Sequence, residues 1–301
     1  MPDLPIIHAP AYDAGFAPGH RFPMGKYTRL MELIDDTGLA ARARFHAPAP
    51  ASAEWLSLAH TRTYVDQVIA SRVPREIERE IGFPVDQRVS MRARLATAGT
   101  VMAARLALSD GIACNAAGGS HHARRDQGAG FCTFNDVAVA AHLLLADGEA
   151  SRVLVIDLDV HQGDGTAQIC ADNRAIRTVS MHGEKNYPVR KQPSDIDVAL
   201  PDGVRDEAYL EMLDWLLPQT LKGFSPDLVF YNAGVDPHEH DRLGRLSLTD
   251  DGLRQRDRRV FTFFRDRGVP VTAVIGGGYS HDIDAVARRH LMTFEVAAEF
   301  A

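Results

Sequence analysis

The sequence predicts an α/β protein with a parallel sheet and helices on both of its faces. Short apolar runs rich in β-branched residues alternate with longer segments of helical periodicity, an arrangement typical of parallel sheets. The 301 residues contain no internal repeat and no low-complexity linker. This length accommodates one large α/β domain or two ordinary ones.

The predicted elements follow one another in this alternating order. The strands are expected at 5–9, 111–119, 152–158, 177–182, 227–233 and 269–277. The helices are expected near 27–38, 62–71, 92–108, 136–147, 206–222, 250–267 and 282–296. The charge-rich segment 72–91 is interpreted as a solvated helix or loop without a functional role.

Composition and charge argue against several classes of protein. Hydrophobic residues make up 45% of the chain and charged residues 24%, as in soluble globular proteins. The chain has no apolar run long enough for a transmembrane helix and no secretory signal at its start, so a membrane is not an expected partner. Cys114, Cys132 and Cys170 lack CxxC spacing, which favours a reducing cytoplasm. The formal net charge of -7 disfavours nucleic acid as a ligand and is compatible with a cationic substrate.

Unusual polar residues follow four of the predicted strands. In open α/β sheets, ligands bind outside the carboxyl ends of the strands, so these residues are expected at one common edge. They are Ser120, His121 and His122 after 111–119, Asp157, Asp159 and His161 at the end of 152–158, Gly234 and Asp236 after 227–233, and Gly276 to Tyr279 at the end of 269–277.

The strand at 152–158 carries the first candidate chemistry. Asp157, Asp159 and His161 are spaced two residues apart, so they share one face while the chain stays extended. This spacing is too long for all three to bind one ion, so Asp159 and His161 are the expected ligands and Asp157 lies deeper. Asp236 is the candidate third ligand. Two carboxylates and one imidazole suit catalytic zinc, and Fe(II) or Mn(II) would also be accepted.

The paired histidines and the tyrosine offer the remaining groups of a hydrolytic site. His121 and His122 can act as general acid and base, and the two acids not needed as ligands, Asp157 and Asp164, can pair with them in that order. The hydroxyl of Tyr279 can donate a hydrogen bond to a developing oxyanion.

These residues together resemble the zinc-dependent histone deacetylase family, which includes acetoin-utilisation proteins and acetylpolyamine amidohydrolases. The similar segments occur in the order of the family, and the HGEKNYP segment with the spacing after NAGVD is most similar to the class IV branch and its bacterial relatives. They are HRFPMGKYTRLMEL, HTRTYVDQV, GGSHHARRDQGAGFCTFNDVAVAA, VLVIDLDVHQGDGTAQI, TVSMHGEKNYP, NAGVDPHEHDRLGRLSLTDDGL and VIGGGYS.

The resemblance implies the arginase/deacetylase fold, with residues 1–301 as a single catalytic domain around a central eight-stranded parallel sheet. It implies zinc bound by Asp159, His161 and Asp236. It also implies that His122 is the general base and later the acid, that His121 assists electrostatically, and that Tyr279 polarises the scissile carbonyl.

The resemblance further implies a substrate tunnel and a second ion. The tunnel residues are expected to be Gly130, Phe131, Tyr187, Leu243 and Gly277. A structural potassium ion is expected near Asp157 and Ser180. Lys26 and Arg29 are the two candidates for a basic residue at the inner exit of the tunnel.

The expected activity is removal of acetyl or other acyl groups from lysine side chains of peptides or proteins by zinc-activated water. The alternative is an acetylpolyamine amidohydrolase with the same site. Polyamine-directed relatives have a glutamate seven residues after the last metal aspartate, where this chain has Leu243. A ureohydrolase with two manganese ions and a binding protein without catalysis fit the motifs less well. His238 and His240 are expected at the rim or in solvent, and His182 as a packed residue at a strand end.

Overall fold

The computed structural model describes residues 3–17 and 19–301 and has an α/β architecture. Its eight strands, β1 to β8 in chain order, are Leu4–Ile7, Ala43–His46, Ile112–Asn115, Val153–Asp157, Ile176–Gly183, Ile196–Leu200, Leu228–Asn232 and Val271–Val274. They form one sheet in the order β2-β1-β3-β8-β7-β4-β5-β6, and every pair of neighbours is parallel. The predicted fold class, a single domain around an eight-stranded parallel sheet, is confirmed.

Helices connect the strands and cover the sheet. In chain order, α1 to α10 are Lys26–Asp36, Ala53–Leu56, Arg62–Ile69, Arg75–Ile81, Gln87–Asp110, Asp136–Ala146, Asp164–Cys170, Asp206–Thr220, Asp250–Arg265 and Ile283–Ala297. Two short 3-10 helices lie at Pro10–Tyr12 and Leu39–Arg42. Among the described residues, none of these helices is long and apolar enough to cross a membrane.

All six strands expected from the sequence are present, and two further strands lie at the edges of the sheet. β2 and β6 each pair with only one neighbour and consist mostly of partly buried and exposed residues, so their sequences lack a continuous apolar run. The segment 72–91 contains α4 and the first residues of α5. Met1, Pro2 and Pro18 of the predicted domain lie outside the described residues.

The central strands position the candidate site. β4 is buried along its whole length, as expected for a parallel strand covered on both faces. The four strands followed by unusual polar residues, β3, β8, β7 and β4, are consecutive neighbours in the sheet. Their last residues are also in register, since Asn232 pairs with both Asp157 and Val274, and Val274 pairs with Asn115. The loops that follow these strands therefore converge at the carboxyl ends of the strands.

Candidate active site

Asp159, His161 and Asp236 form a compact buried cluster at the carboxyl ends of these strands. Asp159 and His161 lie in the loop after β4, and Asp236 lies in the loop after β7. His161 Nδ1 is 3.1 Å from Asp159 Oδ1 and 3.0 Å from Asp236 Oδ2. One potential ligand atom from each of the three residues lies within 4.8 Å of the others. The structure thus brings together the three residues expected to be metal ligands.

The donor set and its electrostatics fit a divalent cation. Two carboxylates and one imidazole are the ligand types of catalytic zinc and also suit Fe(II). Burial raises the pKa of Asp236, and the neighbouring charge of Asp159 raises it further. A bound cation would relieve this repulsion. Backbone N–H groups orient the carboxylates, because Gly277 donates to Asp159 Oδ2 at 2.7 Å and Val160 donates to Asp236 Oδ1 at 2.9 Å.

His121 and His122 lie next to this cluster, each paired with an aspartate. His121 Nδ1 is 2.6 Å from Asp157 Oδ2, and His122 Nδ1 is 2.6 Å from Asp164 Oδ1. These are the two pairings expected from the sequence. The Nε2 atoms of the two rings are 3.1 Å apart. A carboxylate on Nδ1 sets the orientation of each imidazole and leaves Nε2 facing the site.

The two histidines have opposite pKa shifts. Burial disfavours a charged imidazole, but Asp157 and Asp159 outweigh it at His121 and raise the pKa of that ring to about 9. At His122, burial and the charge of His121 lower the pKa to about 3, against the opposing effect of Asp164. These opposite pKa shifts favour the protonated form of His121 and the neutral form of His122, and a neutral imidazole can accept a proton.

The two aspartates are themselves anchored by residues without a role in the sequence-based interpretation. Asn232 Nδ2 donates to Asp157 Oδ1 at 3.0 Å, and Arg124 Nη2 donates to Asp164 Oδ2 at 3.0 Å. The sequence does not indicate these contacts, because Asn232 is the last residue of an apolar strand and Arg124 lies in a polar loop. They depend on distant parts of the chain meeting in space.

Tyr279 completes the group of polar residues around the cluster. It follows β8, and its ring centroid is 6.1 Å from that of His161. Burial, with the nearby charges of Asp159 and Asp236, raises the pKa of Tyr279 well above its usual value. The side-chain hydroxyl forms no hydrogen bond within the described part of the chain. It stays protonated and is free to donate to a ligand.

A cavity of about 430 Å³ leads from the surface to His122, His161 and Tyr279. Four predicted tunnel residues line it, namely Gly130, Phe131, Tyr187 and Leu243. A β-carbon at Gly130 would lie 2.6 Å from His122 Cδ2, so the wall passes too close to the imidazole for any larger residue. The fifth predicted tunnel residue, Gly277, lines a smaller inner cavity behind the cluster.

The structure distinguishes between residues whose placement the sequence left open. Lys26 is fully buried behind the site, with its Nζ atom 3.2 Å from the carbonyl oxygen of Gly276. Arg29 instead lies on the surface and pairs with Asp284 at 2.6 Å. Lys26 is thus the one of the two that is near the inner end of the tunnel.

Other expectations concern residues around the site. Asp157 and Ser180 are register partners on β4 and β5, as a shared ion would require. His182 is buried, as expected, and its Nδ1 is 3.0 Å from Ser180 Oγ. His240 is exposed as expected. The expectation for His238 was wrong, because this residue is buried and its Nε2 is 3.1 Å from Asp250 Oδ1.

Part of the segment 72–91, which was interpreted as a solvated helix or loop without a functional role, lies beside the cavity. Residues 79–82, at the end of α4, line the mouth of the 430 Å³ cavity. The N–H of Gly130 donates to the carbonyl oxygen of Glu80 at 2.9 Å, which attaches this segment to the tunnel wall. Two of the charged residues that suggested a solvated helix, Arg79 and Glu80, are exposed and line the entrance to the site.

His60 supports the loop that carries the paired histidines, and its burial predicts a pH-dependent stability. Its Nδ1 donates to the carbonyl oxygen of Arg124 at 2.8 Å, and its Nε2 accepts the N–H of Asn135 at 2.9 Å, so the ring is neutral. Burial lowers the pKa of His60 from 6.5 to about 4. Because the pKa of His60 is lower in the folded protein than in the unfolded chain, its contribution to stability is fully present above pH 6.5, the pKa of the unfolded chain. This contribution is lost as the pH falls from 6.5 toward 4.

We expect the free energy of unfolding to fall by about 3 kcal/mol from this group over that interval. The His60→Gln variant should be less stable at neutral pH and should lose less stability on acidification, measured by urea unfolding at several pH values. Parallel pH profiles for the two proteins would contradict this assignment.

The sequence is similar to those of several known proteins. A model of the histone deacetylase domain matches residues 20–295. An uncharacterized protein of Picosynechococcus sp. is 42% identical, with 98% of this chain and 99% of the relative aligned. Histone deacetylase 2 of Arabidopsis thaliana is 32% identical over 91% of this chain and 74% of the relative. The acetoin utilization protein AcuC of Bacillus subtilis is 30% identical over 93% of this chain and 78% of the relative.

A solved structure has the same architecture. The crystal structure of the HDA15 HD domain matches with a TM-score of 0.81 and covers 97% of this chain and 88% of that domain. The two sequences are only 21% identical, so this similarity concerns the fold.

Proposed function

This chain belongs to the histone deacetylase family, and on that basis we propose that it hydrolyses the amide bond of acylated lysine side chains in peptides or proteins. One observation carries the proposal: His122, the side chain of Tyr279 and His161 of the Asp159–His161–Asp236 cluster line one cavity, and Asp164 holds Nδ1 of His122. This combination supplies a base, an oxyanion donor and a cation site around one carbonyl group.

Asp159, His161 and Asp236 are the proposed ligands of one zinc ion, with Fe(II) as the alternative. A divalent metal bound there supplies a Lewis acid for the carbonyl group and lowers the pKa of water. Asp157 and Ser180 are the proposed side-chain contacts of a structural potassium ion.

Proton transfer is assigned to the histidine pair. The Nδ1–H of His122 is held by Asp164, so its Nε2 accepts a proton from the attacking water as the water oxygen bonds to the carbonyl carbon. When the carbon–nitrogen bond breaks, the same nitrogen gives this proton to the leaving lysine amine. The products are a carboxylic acid and a free amine. His121, which is held by Asp157, assists this step electrostatically.

The choice between acyl-lysine and acylpolyamine rests on the tunnel wall. Leu243, seven residues after Asp236, lines the cavity with an apolar side chain. An apolar residue there offers no partner to the distal ammonium of a polyamine and suits the methylene chain of lysine. Acetyl-lysine and longer acyl-lysine peptides assayed beside acetylpolyamines test this choice.

Replacing Tyr279 with phenylalanine tests the role of the hydroxyl. We expect kcat for an acetyl-lysine peptide to fall by about 10² to 10³, the usual cost of losing one oxyanion donor. Because the hydroxyl has no hydrogen bond within the described residues, the melting temperature should stay at the wild-type value. A folded Tyr279→Phe variant with wild-type kcat would remove Tyr279 from the mechanism.

A further inference from the structure

The mouth of the cavity is basic, although the chain as a whole is acidic. The formal net charge of the chain is -7, whereas four cationic side chains and a single carboxylate line this cavity. The cations are Arg21, Arg79, Lys185 and Arg245, and the carboxylate is that of Glu80. All five side chains are exposed to solvent. The residues come from four distant parts of the chain, so their meeting here is a property of the fold.

Only part of this positive charge is neutralised by the protein. Arg245 pairs with Asp202 at 3.1 Å, and Lys185 lies 4.0 Å from the same carboxylate. With Asp202 and Glu80 both counted against the four cations, the entrance still has a net charge of +2.

Arg21 and Arg79 contribute most of the available charge. Within residues 3–17 and 19–301 neither has a carboxylate oxygen within 4.0 Å. The Nε atom of Arg79 donates to the carbonyl oxygen of Arg75, and the guanidinium of Arg21 lies 6.0 Å from the ring centre of Phe131 in the tunnel wall. Both cations are therefore free to meet a charged group of a ligand that enters the tunnel.

We propose that this basic rim selects acylated lysines flanked by acidic residues and disfavours acylpolyamines. The inference rests on the proposed function and defines its substrate class. An extended peptide with its acyl-lysine in the tunnel must pass over the rim, where carboxylates within about one Debye length are attracted. A polyamine brings ammonium groups to the same place and is repelled. The basic mouth thus favours one of the two substrate classes compatible with the catalytic groups.

The test compares acetyl-lysine peptides that differ only in their flanking residues. Three peptides carry Asp and Glu, Ser and Gly, or Lys and Arg around the acetyl-lysine, and a monoacetylated polyamine is the fourth substrate. We expect kcat/KM to decrease from the acidic to the neutral to the basic peptide, with about a tenfold difference between the extremes at low ionic strength. This difference should shrink in high salt, and the polyamine should be the poorest substrate.

Charge reversal identifies the residues responsible. The Arg21→Glu and Arg79→Glu double variant should lose the preference for the acidic peptide or invert it. Arg174→Glu is the matched control, since Arg174 is exposed and has no ion pair among the described residues. It precedes β5 and so lies at the amino-terminal ends of the strands, whereas the site lies at their carboxyl ends. This control should retain the wild-type ratio. Melting temperatures establish that each variant is folded.

Several outcomes would overturn the inference. These are equal rates for the three peptides, a preference for the basic peptide, faster hydrolysis of the polyamine, and an unchanged ratio in the folded double variant. Dissociation constants of the same peptides, labelled with a fluorophore, are measured in parallel. If no peptide is hydrolysed, the proposed function fails. Tighter binding of the acidic peptide would then still support the selectivity of the basic rim, and equal binding of the three peptides would contradict it.

Discussion

Replacing His122 with alanine should lower kcat for an acyl-lysine peptide by about 10² to 10⁴, the usual contribution of a positioned general base. The variant lacks the imidazole that takes a proton from water and returns it to the leaving amine. Asp164 keeps its ion pair with Arg124 at 3.0 Å, so the buried carboxylate is not left without a partner and the fold should persist. Steady-state kinetics with a melting curve measure both effects.

Two comparisons make this prediction specific to the base. His142→Ala removes a half-buried histidine on α6, outside the cavity, and should leave kcat unchanged. Added imidazole should restore part of the activity of His122→Ala, because a small base can occupy the vacated space. A folded His122→Ala variant with wild-type kcat would contradict the proton-transfer role.

Replacing Asp236 with asparagine should abolish stoichiometric metal binding and lower kcat/KM at least as much as the loss of His122. The substitution removes one of two negatively charged ligands and leaves an amide oxygen, a weaker donor for zinc. It also removes a buried carboxylate whose pKa is raised by burial and then by repulsion from Asp159 in the metal-free protein. The metal-free variant should therefore be more stable than the metal-free wild type.

Thermal unfolding separates this effect from catalysis. Zinc added to the metal-free wild type should stabilise it by about 4 kcal/mol at a thousandfold excess over Kd, and Asp236→Asn should show little of this gain. Asp172→Asn, which changes an exposed carboxylate before β5, should respond to zinc as the wild type does. An equal zinc response in Asp236→Asn would show that Asp236 is not a ligand.

The sequence predicts the centre of the fold better than its edges. β4 and β7 are buried on both faces and read as continuous apolar runs, whereas the edge strands β2 and β6 mix polar and apolar residues and were missed. Parallel strands end at a common edge, which is why residues as far apart as Asp159 and Asp236 could be expected to meet.

Contacts made by tertiary packing were harder to predict. The anchoring of Asp164 by Arg124 has no local sequence signal, since it depends on where two loops cross. The basic rim is the clearest case: Arg21 precedes α1 and Arg79 lies in α4, and neither segment suggests that the two reach the same cavity. Charge-rich surface segments look alike in sequence whether they face open solvent or the mouth of a site.

We propose that the protein hydrolyses acyl-lysine at one metal-dependent site per chain. The most direct measurement follows the release of free carboxylic acid from acetyl- and longer-acyl-lysine peptides by metal-free protein titrated with zinc. We expect activity to rise linearly and to saturate at one zinc per chain. No release of acid at full zinc occupancy, or saturation only at two metal ions per chain, would contradict it.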